Sequence, residues 1–390
     1  MSTQSTSPSI HGSVLPGFKP LAAAFGDVLS RCHDGGASLH VRVDGEVVAD
    51  LWGGQAGPGR QWLDDTPTVI FSCTKGLVSI AVGELVRQDL VDLDAPLSQY
   101  WPEFTGGGKE TVSVGDVLAH KAGVPLVRQI LQTEDILDTA HITALLAAEP
   151  PFLEPGTSHI YHGLTFGWLA GELVRRVTGA SIGTYLRERI AGPLGADAWI
   201  GIDPTQTPRV AQLQVWGGYP PQPEAPAEPR NELERYAAQA MTFGGAIPFE
   251  FADPGRGFND PRLQQAEIPG AGGIATARAL ATIWSATVSS NEQITLLDPA
   301  TIEAMTIERS AGVPAVPMPP PWPRWGAGFM LTSDARPLLS DRSFGHDGLG
   351  GQVGFADDAA RVGFGFVTND LQFEGDTRAT DLVAALRQCL

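Results

Sequence analysis

The spacing of apolar residues changes along this chain, from mixed helix and strand at the start, through helices in the middle, to mostly strands near the end. From Phe18 to His33, Leu21, Ala24, Phe25, Val28 and Leu29 recur at helical intervals and Asp34-Gly35-Gly36 ends the run, which predicts a helix. Ala37 to Val43 and Glu46 to Trp52 are rich in β-formers and flank Asp44-Gly45, the turn pair of a two-residue hairpin. The polar residues 1 to 17, punctuated by Pro and Gly, read as a loose arm, and 53 to 67 as a loop.

A short β-type run then meets a helix from Gly76 to Arg87, in which only Ser79, Glu84 and Arg87 are polar. A helix apolar almost all round is a buried one. Further helices are predicted over Val112 to Ala119, Thr139 to Ala148, Leu164 to Val177, Ile182 to Ile190 and Ala277 to Val288, with a small-residue turn over Pro269 to Thr276. Two Pro-dense loops, 217 to 230 and 312 to 325, break the pattern. The end reads as strands, Gly326 to Thr332, Ser343 to His346, Gly351 to Ala356 and Val362 to Thr368, before a helix from Thr377 to Arg387. Such strands suit an antiparallel sheet that also takes in the N-terminal hairpin.

Chemistry concentrates at the buried helix. Ser72 stands at its mouth and Lys75 lies three residues on, so a hydroxyl and an amine project from one face about a turn apart. Lys19, Lys75, Lys109 and Lys121 are the chain's lysines, and Lys75 alone follows a Ser at that spacing. Burial and the helix N-terminus both disfavour its ammonium form, leaving an amine able to take the serine's proton. Tyr161 sits in a turn after Glu154-Pro155-Gly156, just ahead of the helix from Leu164. A positive charge nearby lowers a phenol below its usual pKa of about 10, which suits a proton shuttle.

Other candidates weigh less. Gly179-Ala180-Ser181-Ile182-Gly183 matches the Gly-x-Ser-x-Gly elbow, but that motif works at a strand-to-helix turn; here it joins two helices, so Ser181 reads as an N-cap. His120 at a helix end reads as a structural histidine bonded to nearby backbone, and Cys73 as a packing residue. Phe344 to Gly351 is dense in glycine where a strand edge falls. A backbone N–H there either joins that of Ser72 as an oxyanion hole or belongs to an ordinary turn. Trp322 and Trp325, in the second Pro-dense loop, are candidates to line an acyl or alcohol pocket.

Composition narrows the function classes. With 390 residues, 43% hydrophobic and 18% charged, the chain makes one large or two medium globular domains. A net charge of −18 argues against nucleic-acid or anionic-membrane partners. No run is long enough to span a membrane and the first ten residues lack a secretion signal's basic and apolar regions, so a cytoplasmic location is expected. Cys32, Cys73 and Cys389 are odd in number and far apart, which suggests neither a disulfide framework nor a zinc site. No cofactor or metal is expected, and the oligomeric state is left open.

Ser72-Cys73-Thr74-Lys75, Tyr161-His162-Gly163 and His346-Asp347-Gly348 have the order and spacing of the serine beta-lactamase and penicillin-binding-protein superfamily. The chain most resembles its family VIII carboxylesterases, over roughly residues 18 to 388. The resemblance implies an α/β fold of the α+β type, beta-lactamase/DD-peptidase-like. An antiparallel sheet flanked by helices would come from residues 1–75 and 270–390, a mostly helical domain from 76–269, and the active site would lie in the cleft between them. The resemblance further implies Ser72 as nucleophile, Lys75 and Tyr161 as the proton-handling pair, His346 to Gly348 as the strand bordering the acyl group, and the Leu349 N–H as the second oxyanion donor. Two positions depart from class C beta-lactamases: Gly163 replaces an Asn, and His346 replaces a carboxylate-binding Lys and is mostly neutral at pH 7. Both weaken recognition of a charged beta-lactam. The expected activity is a serine carboxylesterase acting on small, short-chain esters through an acyl-enzyme on Ser72. The alternatives are a beta-lactamase, a D-amino-acid peptidase or amidase, an acyltransferase using the same acyl-enzyme, or a non-catalytic binding protein of the same fold.

Overall fold

The computed structural model describes residues 9–220, 231–237, 239–290, 293–373 and 375–390. Among them the largest sheet has nine strands: β1 (Ile10–Val14), β2 (Gly36–Val43), β3 (Glu46–Gly57), β4 (Arg60–Gln61), β5 (Arg324–Trp325), β6 (Met330–Leu331), β7 (Ser343–Asp347), β8 (Val353–Asp357) and β9 (Val362–Thr368). Their order is β1-β3-β2-β9-β8-β7-β6-β5, with β4 on β3. The sheet is antiparallel and joins the two ends of the chain, Val41 of β2 pairing with Phe364 of β9. At the predicted hairpin, Asp44 (φ 49°) and Gly45 (φ 82°) both take the positive φ that a tight turn between twisted strands requires.

Alternation along β9 decides what covers each face. Val362, Phe364 and Phe366 join Leu39, Val41 and Phe355 in a core with Leu21, Phe25 and Val28 of the helix Lys19–Ser30 and with Leu382 and Leu386 of the helix Arg378–Arg387. Gly363 and Gly365 face the other way. A Cβ on either would come within 2.4 Å of a carbonyl oxygen, of Ala281 or of Ala277, in the helix Ala277–Val288. Glycine therefore lets that helix press directly onto the sheet.

The helix Cys73–Arg87 is buried from Cys73 to Leu85, as its apolar circumference demands. It packs against the helix Thr165–Thr178 and against β7. A second sheet of Thr68–Val69, Gly273–Ala275 and Ala198–Ile200 feeds into it, and the Ile70 N–H donates to Gly273 O at 2.9 Å.

Several expectations change. The described part of the N-terminal arm is not loose: Ile10–Val14 pairs with β3, Ile10 opposite Gly53, while residues 1–8 lie outside the described residues. Its side chains stay mostly exposed, so backbone pairing leaves no apolar pattern to read. The expected loop after Trp52 holds the rest of β3 and β4. The small-residue turn contains the strand Gly273–Ala275. Of the expected strand Gly326 to Thr332 only Met330–Leu331 (β6) is strand; β5 falls in the expected Pro-dense loop, and the bend between the two is closed by the Gly326 N–H on Phe329 O at 2.9 Å. The helix after Ser181 is α-helical to Tyr185 and then widens to a π-helix over Leu186–Ala191. The one predicted from Val112 is shorter, Val114–Leu118, because the Ser113 side chain caps it. Of the first Pro-dense loop, residues 221–230 lie outside the described residues.

Candidate active site

Three segments distant in sequence meet at the N-terminus of the Cys73–Arg87 helix. The first is the turn that carries Ser72. Phe71 has φ 44°, a left-handed conformation that is strained for an aromatic residue. The turn is held by the Cys73 N–H on Ile70 O (3.1 Å) and the Thr74 N–H on Phe71 O (2.9 Å), and the Phe71 ring meets Phe251 and Phe258 edge-on.

The second segment is the loop bearing Tyr161. Its phenol packs 4.8 Å from the His120 ring and stacks with Trp325 at 5.6 Å and 25°. His120 Nδ1 accepts the His162 N–H at 3.2 Å: the histidine does bond backbone, but of a segment 42 residues on and not of its own helix end, and it positions the residue next to Tyr161. The third segment is the end of β7. Cys73 Sγ donates to His346 O at 3.2 Å, and a Cβ on Gly348 would lie 2.4 Å from Ile70 O, so a side chain there would push the strand off the Ser72 turn.

Lys75 is completely buried. Its Nζ lies 2.7 Å from Gly163 O, 2.6 Å from Gly270 O and 3.0 Å from Ser72 Oγ. Desolvation pulls its pKa down to about 7, against the opposing charge of Asp347. A neutral amine has two N–H groups and one lone pair. The ammonium form donates to all three oxygens, whereas in the neutral form the two carbonyls take the N–H groups and the lone pair turns to Ser72 Oγ. Tyr161 donates its O–H to the same oxygen at 2.8 Å.

Burial raises the Tyr161 pKa, with the bond to Ser72 opposing, whereas the sequence argument expected the lysine's charge to lower it. The reason is that the lysine has itself lost much of its charge in the same dry site, so desolvation wins. Tyr161 is a held proton donor. Burial and then Lys75 take His346 down to about 4, so it is neutral, and its ring lies behind the cleft wall with Nδ1 on Asp347 O at 2.7 Å. The Gly348 N–H is taken by Gln352 O at 2.7 Å, whereas the N–H groups of Ser72 and Leu349 meet no protein acceptor among the described residues.

Ser72 and Tyr161 open into a cleft of about 420 Å³ with Gly348, Leu349 and Trp325 on its walls. Trp322 is not there. Its Nε1 donates to Met318 O at 2.8 Å, folding the ring back over its own loop, where it lines a separate depression with Glu308 and Arg387. Ser181 is also remote from Ser72. It caps Thr184 and donates to Glu267 Oε1 at 2.6 Å.

Three cleft features escaped the sequence. Met241 fills the room beside Gly163, where a Cβ would lie 2.7 Å from its sulfur. Arg336 reaches the cleft and pairs with Asp347. Gly270 supplies a carbonyl to Lys75. No periodicity or motif marks any of them: Met241 and Gly270 matter through partners far along the chain, and Arg336 through Asp347 on the next strand.

A serine, a buried amine and a phenol meet at the mouth of a helix between sheet and helices, and comparison with known proteins gives the family of this fold. "Esterase/beta-lactamase LipL" of Mycobacterium tuberculosis is 34% identical over 375 residues, covering 93% of this chain and 83% of that protein. A solved family VIII carboxylesterase superposes with a TM-score of 0.85 at 33% identity, covering 98% of this chain and 100% of its own. A penicillin-binding protein homologue from Caulobacter crescentus gives 0.86 at 32%, with the same coverage. The Beta-lactamase family matches residues 21–388, and the chain belongs to that family.

Proposed function

We propose that Ser72 carries a covalent acyl-enzyme cycle on small, uncharged carboxylic esters. The chain is a serine hydrolase acting on carboxylic esters. The neutral Lys75 amine takes the Ser72 proton as Oγ attacks the ester carbonyl. The N–H groups of Ser72 and Leu349 hold the oxyanion, and the positive end of the buried helix adds to that stabilisation. Lys75, now an ammonium, and the Tyr161 hydroxyl return a proton to the leaving alkoxide. Water then releases the acid by the reverse relay.

One observation carries this reading: Ser72 Oγ sits between Lys75 Nζ at 3.0 Å and the Tyr161 hydroxyl at 2.8 Å, with the amine buried and its pKa near 7. The preference for uncharged, short-chain esters is supported by the apolar Met241, Met330, Trp325 and Leu349 on the cleft, by neutral His346, and by Gly163, which offers no amide. The strands of the large sheet all come from residues 10–61 and 324–368, which supports a sheet domain of residues 1–75 and 270–390 enclosing a mostly helical domain of 76–269. A cytoplasmic location is supported by three free cysteines; no helix among the described residues is long and apolar enough to cross a membrane.

A fluorophosphonate probe followed by peptide mass analysis tests the nucleophile. The adduct is expected on Ser72 in the wild type and absent in Ser72→Ala. Labelling of Ser181 in either protein would refute the assignment.

A further inference from the structure

We propose that Asp347 is a built-in carboxylate that occupies Arg336 and so restricts the cleft to esters without an acidic group; this rests on the ester-hydrolase reading above. Arg336 is the only arginine or lysine among the described residues lining the cleft of Ser72. Its guanidinium is already engaged, with Nε at 2.9 Å and Nη2 at 2.7 Å from the same oxygen, Asp347 Oδ2. Both side chains are partly exposed, so the pair stands on the cleft wall and not beneath it. Asp347 belongs to the strand end that borders Ser72, two residues before Leu349. A guanidinium there is where a substrate carboxylate would find its partner, because the planar fork matches a carboxylate's two oxygens.

The chain supplies that carboxylate itself. The same device recurs at the edge of the cleft, where Asp376, a lining residue, accepts from Nε and Nη2 of buried Arg378 at 2.9 Å each. An acidic substrate would therefore meet two carboxylates, with the Nε/Nη2 edge of Arg336 already taken. An uncharged acyl chain would meet the methionines and Trp325 and displace nothing.

The probes are 4-nitrophenyl valerate and the mono-4-nitrophenyl ester of glutaric acid, which differ in having a terminal methyl or a carboxylate. The wild type is expected to favour the valerate in kcat/KM by about tenfold or more, the worth of a charge-assisted hydrogen bond that the acid cannot make. Asp347→Asn is expected to shrink that preference by about tenfold through a lower KM for the glutarate, as Arg336 becomes available. Adding Arg336→Gln should restore it. Losing the charge of Asp347 also changes the basicity of Lys75, but that acts on both esters alike and cancels in the ratio. Equal use of both esters by the wild type, or an unchanged ratio in a folded Asp347→Asn protein, overturns the proposal. Should Asp347→Asn fail to fold, Arg336→Gln alone decides: an uncompensated Asp347 should widen the preference, and a narrower one overturns the idea. Absence of Ser72-dependent valerate hydrolysis in the wild type would overturn the ester reading, and this proposal with it.

Discussion

Ser72 and Ser181 both stand at helix N-termini, each inside a short motif of the kind that carries nucleophiles, yet their hydroxyls end in opposite surroundings. Ser181 Oγ accepts the Thr184 N–H at 3.2 Å and donates to Glu267 Oε1 at 2.6 Å. A lone pair and the proton are both engaged in local structure, and burial raises the pKa of the Glu267 carboxyl that accepts the hydrogen bond. Ser72 makes no side-chain cap bond to its helix. Its oxygen faces a buried amine, which can take up a proton once neutral, and a phenol that donates. A serine at a helix start is thus a cap or a nucleophile according to which groups meet its oxygen, and a five-residue pattern does not say which.

The largest effect should come from removing the reactive oxygen. Ser72→Ala is expected to lower kcat/KM for a 4-nitrophenyl ester by about 10⁴-fold or more, and a variant retaining most of its activity would erase the distinction between the two serines.

Next comes the amine. Lys75→Arg keeps a cation but cannot become a base, so a loss of about 10²- to 10⁴-fold is expected in the same assay. In the wild type, Lys75 accepts a proton only when neutral. With its pKa near 7, kcat/KM should fall with each pH unit below 7 and level off above it. Because burial raises the Tyr161 pKa, that phenol adds no falling limb on the mildly alkaline side. A profile flat from acid to alkaline pH would remove Lys75 as the base.

The smallest effect belongs to the cap. Ser181→Ala should cost about 1 kcal/mol in denaturant unfolding and leave ester turnover near that of the wild type. A large loss of turnover without loss of stability would put Ser181 back among the reacting groups.

Much of this contrast was legible before folding. The helix from Gly76 is apolar almost all round, so its burial followed from composition alone, and a lysine at its start had to be functional or paired. The Asp44-Gly45 turn and the strand from Val362 to Thr368 were equally local. Less was visible where backbone pairing stands alone. Ile10–Val14 keeps its side chains mostly exposed, and Gly273–Ala275 hides among small residues. Trp322 was misplaced because a Pro-dense loop does not reveal which of its rings turns inward; Trp325, three residues on, stacks on Tyr161.

By itself the sequence determined the elements that repeat with a short period, and the one-turn spacing that sets Ser72 beside Lys75, because both depend only on neighbours along the chain. Tertiary structure alone decided that Tyr161 keeps its proton, that Met241 stands beside Gly163, and that Asp347 takes hold of Arg336. Desolvation and ion pairing are sums over atoms brought together from distant segments, and no local window contains them.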